Sequence, residues 1–140
     1  MKKLALGILF SLSACARSGG GMPEIRYGRD ACARCGMIVT EERFASAYVD
    51  SAGETVAFDD LGELLAAVAK DPVLTSAAYV HDASDGRWLR ASDAVFVKLP
   101  GLATPMGSGY AAFASEVQAA GFARRLGTRF EGPPVTLALR

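Results

Sequence analysis

Apolar and polar residues alternate from Arg43 to Asp50, with Phe44, Tyr48 and Val49 among the apolar members. A turn at Ser51-Ala52-Gly53-Glu54 leads into Thr55 to Phe58, so the pattern predicts a hairpin of two short strands. The period then lengthens. Leu61, Leu64, Leu65 and Val68 share one face of a helix from Leu61 to about Lys70, and Asp71-Pro72 stops it. Asp60 suits the N-cap, with Glu63 three residues on in the capping-box position. Extended segments follow at Ala77–Asp82, Trp88–Arg90 and Val95–Leu99, with Ser84-Asp85-Gly86 as a turn. After a Gly- and Pro-rich loop from Pro100 to Gly109, Tyr110–Phe113 reads as extended. Ser115 to Leu126 is a second helix, with an apolar side from Val117, Phe122 and Leu126 and with Gly127 as its stop. Thr128–Phe130 reads as a last extended segment and Pro133-Pro134 as the start of a loose tail. Strands precede a helix twice. The expected fold is α+β, with two similar small ββα-containing units packed into one domain.

The N-terminus follows a different pattern. Lys2 and Lys3 precede an apolar run, Leu4 to Ala14, too short to cross a bilayer as a mature helix. It ends in Leu12-Ser13-Ala14-Cys15, an aliphatic residue and two small ones before a cysteine, as in a lipoprotein cleavage site. The expectation is a signal peptide over 1–14, lipidation of Cys15 and a flexible tether over 15–23 around Gly19-Gly20-Gly21. A domain over 24–132 and a tail over 133–140 complete the division. The chain has 15 basic and 15 acidic residues; without Lys2 and Lys3 the mature protein carries a net charge of −2. A near-neutral chain lacks the basic surface that displaces counterions from nucleic acid. Membrane attachment is expected through the lipid on the periplasmic face or the cell surface.

Export changes the meaning of the two remaining cysteines. Bare neighbouring thiols outside the cytoplasm tend to oxidise, so Cys32-Ala33-Arg34-Cys35 calls for a disulfide, a redox role or a metal. Met37 follows at once, putting two thiols and a thioether within six residues. Soft donors of this kind suit cuprous copper, which accepts low coordination. In an extended segment Cys35 and Met37 would point to one side, about 6–7 Å apart. Met106, in Thr104-Pro105-Met106-Gly107-Ser108-Gly109, is a second methionine with little core to fill, whereas Met22 lies in the tether. A structural zinc site would need two further ligands, and the sequence has neither a second CxxC nor any histidine besides His81. His81 reads as a structural residue that could still serve as a further ligand. A thioredoxin-like pair needs a helix N-terminus beside its first cysteine, and the residues after Cys35 are strand-like. Asp59 and Asp60 read as helix capping. No nucleophile–base pair, paired carboxylates or phosphate loop stands out, so no catalytic turnover is expected.

These motifs occur in a telling order: Cys32-x-x-Cys35-Gly36-Met37, Arg43-Phe44-Ala45, Phe58-Asp59-Asp60-Leu61-Gly62, Tyr79-Val80-x-Asp82 with Trp88, Thr104-Pro105-Met106-Gly107-Ser108-Gly109 and Ala112-Phe113. Together, across about residues 32–131, they resemble NosL, the copper-chaperone lipoprotein family of nitrous oxide reductase maturation. The resemblance implies one Cu(I) held outside the cytoplasm by Cys35, Met37 and Met106, with Cys32 as a further candidate at a position that is not always cysteine in the family. It implies delivery to nitrous oxide reductase or its maturation machinery, an ABC-transporter complex and its periplasmic subunit, or to another copper-acceptor protein. The site is expected to be partly exposed at the seam between the two units. The alternative is a lipid-anchored thiol-disulfide oxidoreductase using Cys32 and Cys35.

Overall fold

The computed structural model describes residues 21–137, so the expected signal segment, Cys15 and most of the tether lie outside it. Strands β1 (Ser46–Val49) and β2 (Thr55–Phe58) form the expected hairpin, followed by helix α1 (Leu61–Lys70). Strands β3 (Ala78–His81), β4 (Trp88–Arg90), β5 (Val95–Lys98) and β6 (Tyr110–Phe113) come next, then helix α2 (Glu116–Arg125) and a two-residue strand, β7 (Val135–Thr136). All strand pairs are antiparallel, in two sheets ordered β2-β1-β3-β4 and β6-β5-β7. Among the described residues, no helix is long and apolar enough to cross a membrane.

The α+β class and the doubled plan hold, with the division displaced. The first unit is β1-β2-α1-β3, with its first strand in the middle of the order β2-β1-β3. The second is β5-β6-α2-β7, in the same arrangement, β6-β5-β7. Strand β4 is an addition to the first sheet, and the segment expected to open the second half, Ala77–Asp82, closes the first. The tail reading is also corrected. Thr128–Phe130 forms no strand; the chain passes Pro133-Pro134 before Val135 pairs with Phe96 and Thr136 with Val95. Neither proline interrupts a ladder, because both precede the strand.

The helix signals reflect local chemistry. The Asp60 side chain accepts from the Gly62 N–H at 2.8 Å, and Leu61, Leu64 and Val68 are buried on one face of α1. Ser115 caps α2 by accepting from the Gln118 N–H at 3.3 Å. The buried side of α2 differs from expectation: it is Ala119, Phe122 and Ala123, while Val117 is 80% exposed and Leu126 is exposed. Small residues beside one aromatic let α2 lie close over β6, where Phe122 meets Phe113 with ring centroids 5.2 Å apart.

Alternation along β5 and β6 divides the interior. Phe96 and Ala112 join a core with α1 and the first sheet, while Val97, Ala111 and Phe113 join a second core with α2. The second sheet is therefore a wall between two cores. It is tied to the first by a parallel bridge between Asp82 and Ala112, whose carbonyl accepts from the Ala83 N–H at 2.8 Å. The buried Asp82 carboxylate reinforces this seam, accepting from the amides of Ser84 and Ala114 at 2.8 and 2.9 Å.

Candidate metal centre

Cys32 and Cys35 sit in a tight irregular hairpin. Ala31 and Ile38 form an isolated antiparallel bridge, the Cys32 N–H donates to the Met37 carbonyl at 2.7 Å, and the Gly36 N–H donates to the Cys32 carbonyl at 2.9 Å. Gly36 has φ +77°, a conformation costly for a residue with Cβ, and it turns the chain back. This corrects the extended geometry expected for Cys35 and Met37. Cys35 is half-buried while Met37 is 53% exposed. A hydrogen bond of 2.8 Å from the Ala33 N–H to the Ala57 carbonyl fastens the hairpin to β2 and thereby to the start of α1.

At that end of α1 the thiols meet two carboxylates. Cys32 Sγ donates to Glu63 Oε2 at 2.8 Å, and Cys35 Sγ lies 3.6 Å from Asp59 Oδ1. One ligand atom from each of the four residues falls within 4.8 Å of the others. Cys32, Asp59 and Glu63 are buried, and both thiols are free. These four side chains are placed as ligands of a metal ion can be. The sequence pattern assigns Asp59 and Glu63 to capping. Asp60 does cap, but the Glu63 carboxylate turns to Cys32 instead of completing the box. The signal available in the sequence was the excess of acid at the start of α1, Asp59 and Glu63 beyond the one cap needed.

The electrostatics follow from burial. Loss of water, and then the Glu63 carboxylate, push the Cys32 thiol up, while backbone N–H groups of Cys35, Asp59 and Arg34 favour its thiolate. Burial is the main cause that pushes the Glu63 carboxyl up, helped by its acidic neighbours Asp59 and Asp60 and opposed by the Cys32 hydrogen bond. The first cysteine of the pair is thus held as a buried thiol, the reverse of an activated redox nucleophile.

Met106 reaches the same end of α1 by another route. Burial opposes the Asp60 charge, but the hydroxyls of Ser108 and Thr104 and the amides of Met106 and Gly62 outweigh it and hold the carboxyl below its ordinary range. Asp60 Oδ2 accepts from Thr104 Oγ1 at 2.7 Å and from the Met106 N–H at 2.9 Å. Gly62 provides the clearance for this loop, since a Cβ there would stand 2.5 Å from Ser108 Cβ. The loop from the second unit is thereby docked one residue from Asp59, with Met106 47% exposed. So the fold joins the two cysteines directly and brings the Met106 loop to the helix end that carries Asp59 and Glu63.

His81 is elsewhere occupied. Its Nδ1 lies 2.6 Å from the Gly86 carbonyl, which only accepts, so Nδ1 carries the proton; Nε2, 2.9 Å from the Tyr27 hydroxyl, accepts from it. Trp88 covers the ring at a centroid distance of 3.7 Å. Neither nitrogen has a lone pair free for a metal.

A comparison with curated proteins gives no significant match. Among solved structures, the crystal structure of the copper chaperone NosL from Shewanella denitrificans is similar, with a TM-score of 0.63 and 21% sequence identity over 83% of this chain and 92% of that one. At that identity the likeness is one of fold. The NosL family model matches residues 26–131, a span that contains both thiols, Asp59, Asp60, Glu63 and the Met106 loop. With most of the chain matched and the same fold found independently, this protein belongs to the NosL family.

Proposed function

We propose that this chain is an extracytoplasmic Cu(I) carrier, anchored to the membrane by lipid on Cys15, that delivers copper to nitrous oxide reductase or its maturation complex. Copper is its cargo and no reaction is turned over. Cys35, Met37 and Met106 are the proposed ligands, with Cys32 available as a further thiolate. The observation that carries the proposal is the docking of the Met106 loop, through Asp60, onto the same end of α1 that receives the two thiols.

The donor set suits both capture and release. Thioethers are neutral and need no deprotonation, while a thiolate supplies charge and softness for a cuprous ion. Exposure of Met37 and Met106 leaves the outer side of the site open to an incoming ligand. Transfer then proceeds by ligand exchange, without a free ion. The proposed acceptors are the ABC-transporter complex of nitrous oxide reductase maturation with its periplasmic subunit, or another copper-acceptor protein. The rival oxidoreductase reading is disfavoured by the burial of Cys32 and by its hydrogen bond to the Glu63 carboxylate, which keep it a thiol.

The test is a titration of the reduced protein with Cu(I) against a chromophoric cuprous chelator. One tightly bound equivalent is expected, with clear weakening when Met37 and Met106 are both replaced by leucine. Unchanged affinity in that double variant refutes the ligand set. Insulin reduction that is abolished by Cys35→Ser would favour the oxidoreductase.

A further inference from the structure

Sheets usually blunt their free edges with charge, proline or a bulge, because unpaired N–H and C=O groups are a template for another strand. Strand β2, Thr55-Val56-Ala57-Phe58, has no charge and no proline, and its register with β1 is unbroken. It is nevertheless the outer strand in the order β2-β1-β3-β4.

Successive residues of a strand turn their backbone groups to opposite edges. The Glu54 carbonyl accepts from the Asp50 N–H at 2.9 Å, so Glu54, Val56 and Phe58 face β1, and Thr55 and Ala57 face the free edge. The Ala57 carbonyl accepts from the Ala33 N–H of the cysteine hairpin at 2.8 Å. Among the described residues, no backbone hydrogen bond engages the Thr55 N–H, the Thr55 carbonyl or the Ala57 N–H. Beyond the one tie, hairpin and strand part. The Cys32 N–H bonds to Met37 and the Asp30 carbonyl to the Val39 N–H, so Ala31 turns its own backbone groups the other way, towards β2, without pairing with it. A groove of about 590 Å³ lies between, with Ala31 on one wall and Thr55 and Ala57 on the other. One residue of an extended strand fills roughly 160 Å³, from a 3.3 Å rise, a 4.8 Å strand spacing and a 10 Å layer spacing. The groove is therefore the size of three to four strand residues.

We propose that this groove takes an extended, lysine- or arginine-bearing segment of a partner protein, which adds a strand to the free edge of β2. Main-chain hydrogen bonds to Thr55 and Ala57 would hold the segment, and alternate side chains would select it. The small side chains of Ala31 and Ala57 leave room for its inward residues. Its outward residues meet charge: Glu24, Arg26, Asp30 and Glu54 line the groove and sum to −2. Arg26 and Asp30 pair at 2.7 Å, while Glu24 and Glu54 have no ion-pair partner among the described residues. A cationic segment supplies that partner. A second copy of this chain would instead set like charges against each other across the new strand pair, which is destabilising. The Glu24 N–H, donating to Thr55 Oγ1 at 3.2 Å, ties the entering chain to the same edge. The surface is independent of the carrier reading, since none of the proposed copper ligands lines it.

The test uses the reduced, 15N-labelled full chain in mild detergent, with Cys15→Ser so that a third thiol does not contribute. The probe is the capped peptide Thr-Lys-Val-Lys-Thr, compared with Thr-Glu-Val-Glu-Thr and Thr-Lys-Pro-Lys-Thr. The lysine peptide is expected to shift the amide signals of Ala31, Thr55 and Ala57 and to slow hydrogen exchange at Thr55 and Ala57. The glutamate peptide should fail for lack of charge, and the proline peptide for lack of a central N–H. Glu24→Lys with Glu54→Lys, both at exposed positions, should weaken the lysine peptide by on the order of 10-fold. No binding of the lysine peptide, equal binding of either control peptide, unchanged affinity in the charge-reversed variant, or a dimer through β2 that excludes the peptide would each overturn the proposal. The comparison of peptides needs no substitution at the groove, so it decides the question even where the variant misfolds. Cu(I) affinity is measured separately, so failure here leaves the carrier reading standing and its failure leaves this surface standing.

Discussion

His81 illustrates how a single residue's role depends on neighbours the sequence does not place. The sequence reads His81 as a structural residue that could still serve as a further ligand, and in the structure Gly86 and Tyr27 take both of its ring nitrogens. Burial pushes its pKa below the ordinary value of 6.5. The folded protein therefore prefers the neutral ring, while the unfolded chain takes up a proton as pH falls through 6.5. The stability due to neutral His81 is complete above that pH and declines below it, until the folded pKa is reached. The slope is at most about 1.4 kcal/mol per pH unit for one group. Urea unfolding between about pH 7.5 and 5 checks this. His81→Gln is expected to be less stable at pH 7.5 and to show a flatter profile; an equal slope in the two proteins refutes the assignment. Asp59 and Glu63 make the complementary case, residues read as helix chemistry that acquire a metal-site geometry only when the hairpin folds over them.

The element that positions the methionine is the loop between β5 and β6, held by contacts with the first turn of α1. Asp60 serves both elements at once, capping its own helix and accepting from Thr104 and Met106. Gly62→Ala tests this coupling. Alanine favours a helix over glycine by about 1 kcal/mol. Here its Cβ would lie 2.5 Å from Ser108 Cβ, and neither atom is the free end of a long side chain. Overpacking is expected to win, costing about 1–3 kcal/mol, with weaker Cu(I) binding as the loop moves off. Adding Ser108→Gly removes the opposing atom and should restore much of both losses. A stabilised single variant with unchanged copper affinity would show that the close approach does not matter.

Across the molecule, the two units repeat one connectivity, and the second is completed by β7 from the tail. Leu137, just beyond it, is half-buried against the main core. A chain ending at Gly132 would leave one side of β5 unpaired and lose that contact. The expected loss is about 1–2 kcal/mol, a fall of roughly 5–10 °C in melting temperature. Copper stoichiometry should be unchanged, since the proposed ligands all lie earlier in the chain. An unaltered thermal midpoint would mean that the tail strand contributes nothing to the fold.

Short-range pattern was enough to specify the helices and most strands, since caps such as Asp60 and Ser115 and alternation along each strand act over a few residues. The soft-donor character of the Cys32–Met37 segment was equally legible, because donor type belongs to the residue. The order of motifs was sufficient to indicate the family to which the chain belongs. Local pattern had no hold on Val135–Thr136, too short to carry a period, or on which side of α2 is buried, where alanines displaced the larger Val117 and Leu126. Convergence of Asp59 and Glu63 on the thiols, and the docking of the Met106 loop on Asp60 at the same helix end, came from long-range packing alone. These contacts join residues 24 to 46 positions apart. They depend on how the two sheets pack across Asp82 and on the space left by Gly62, neither of which is encoded in the spacing of the ligands.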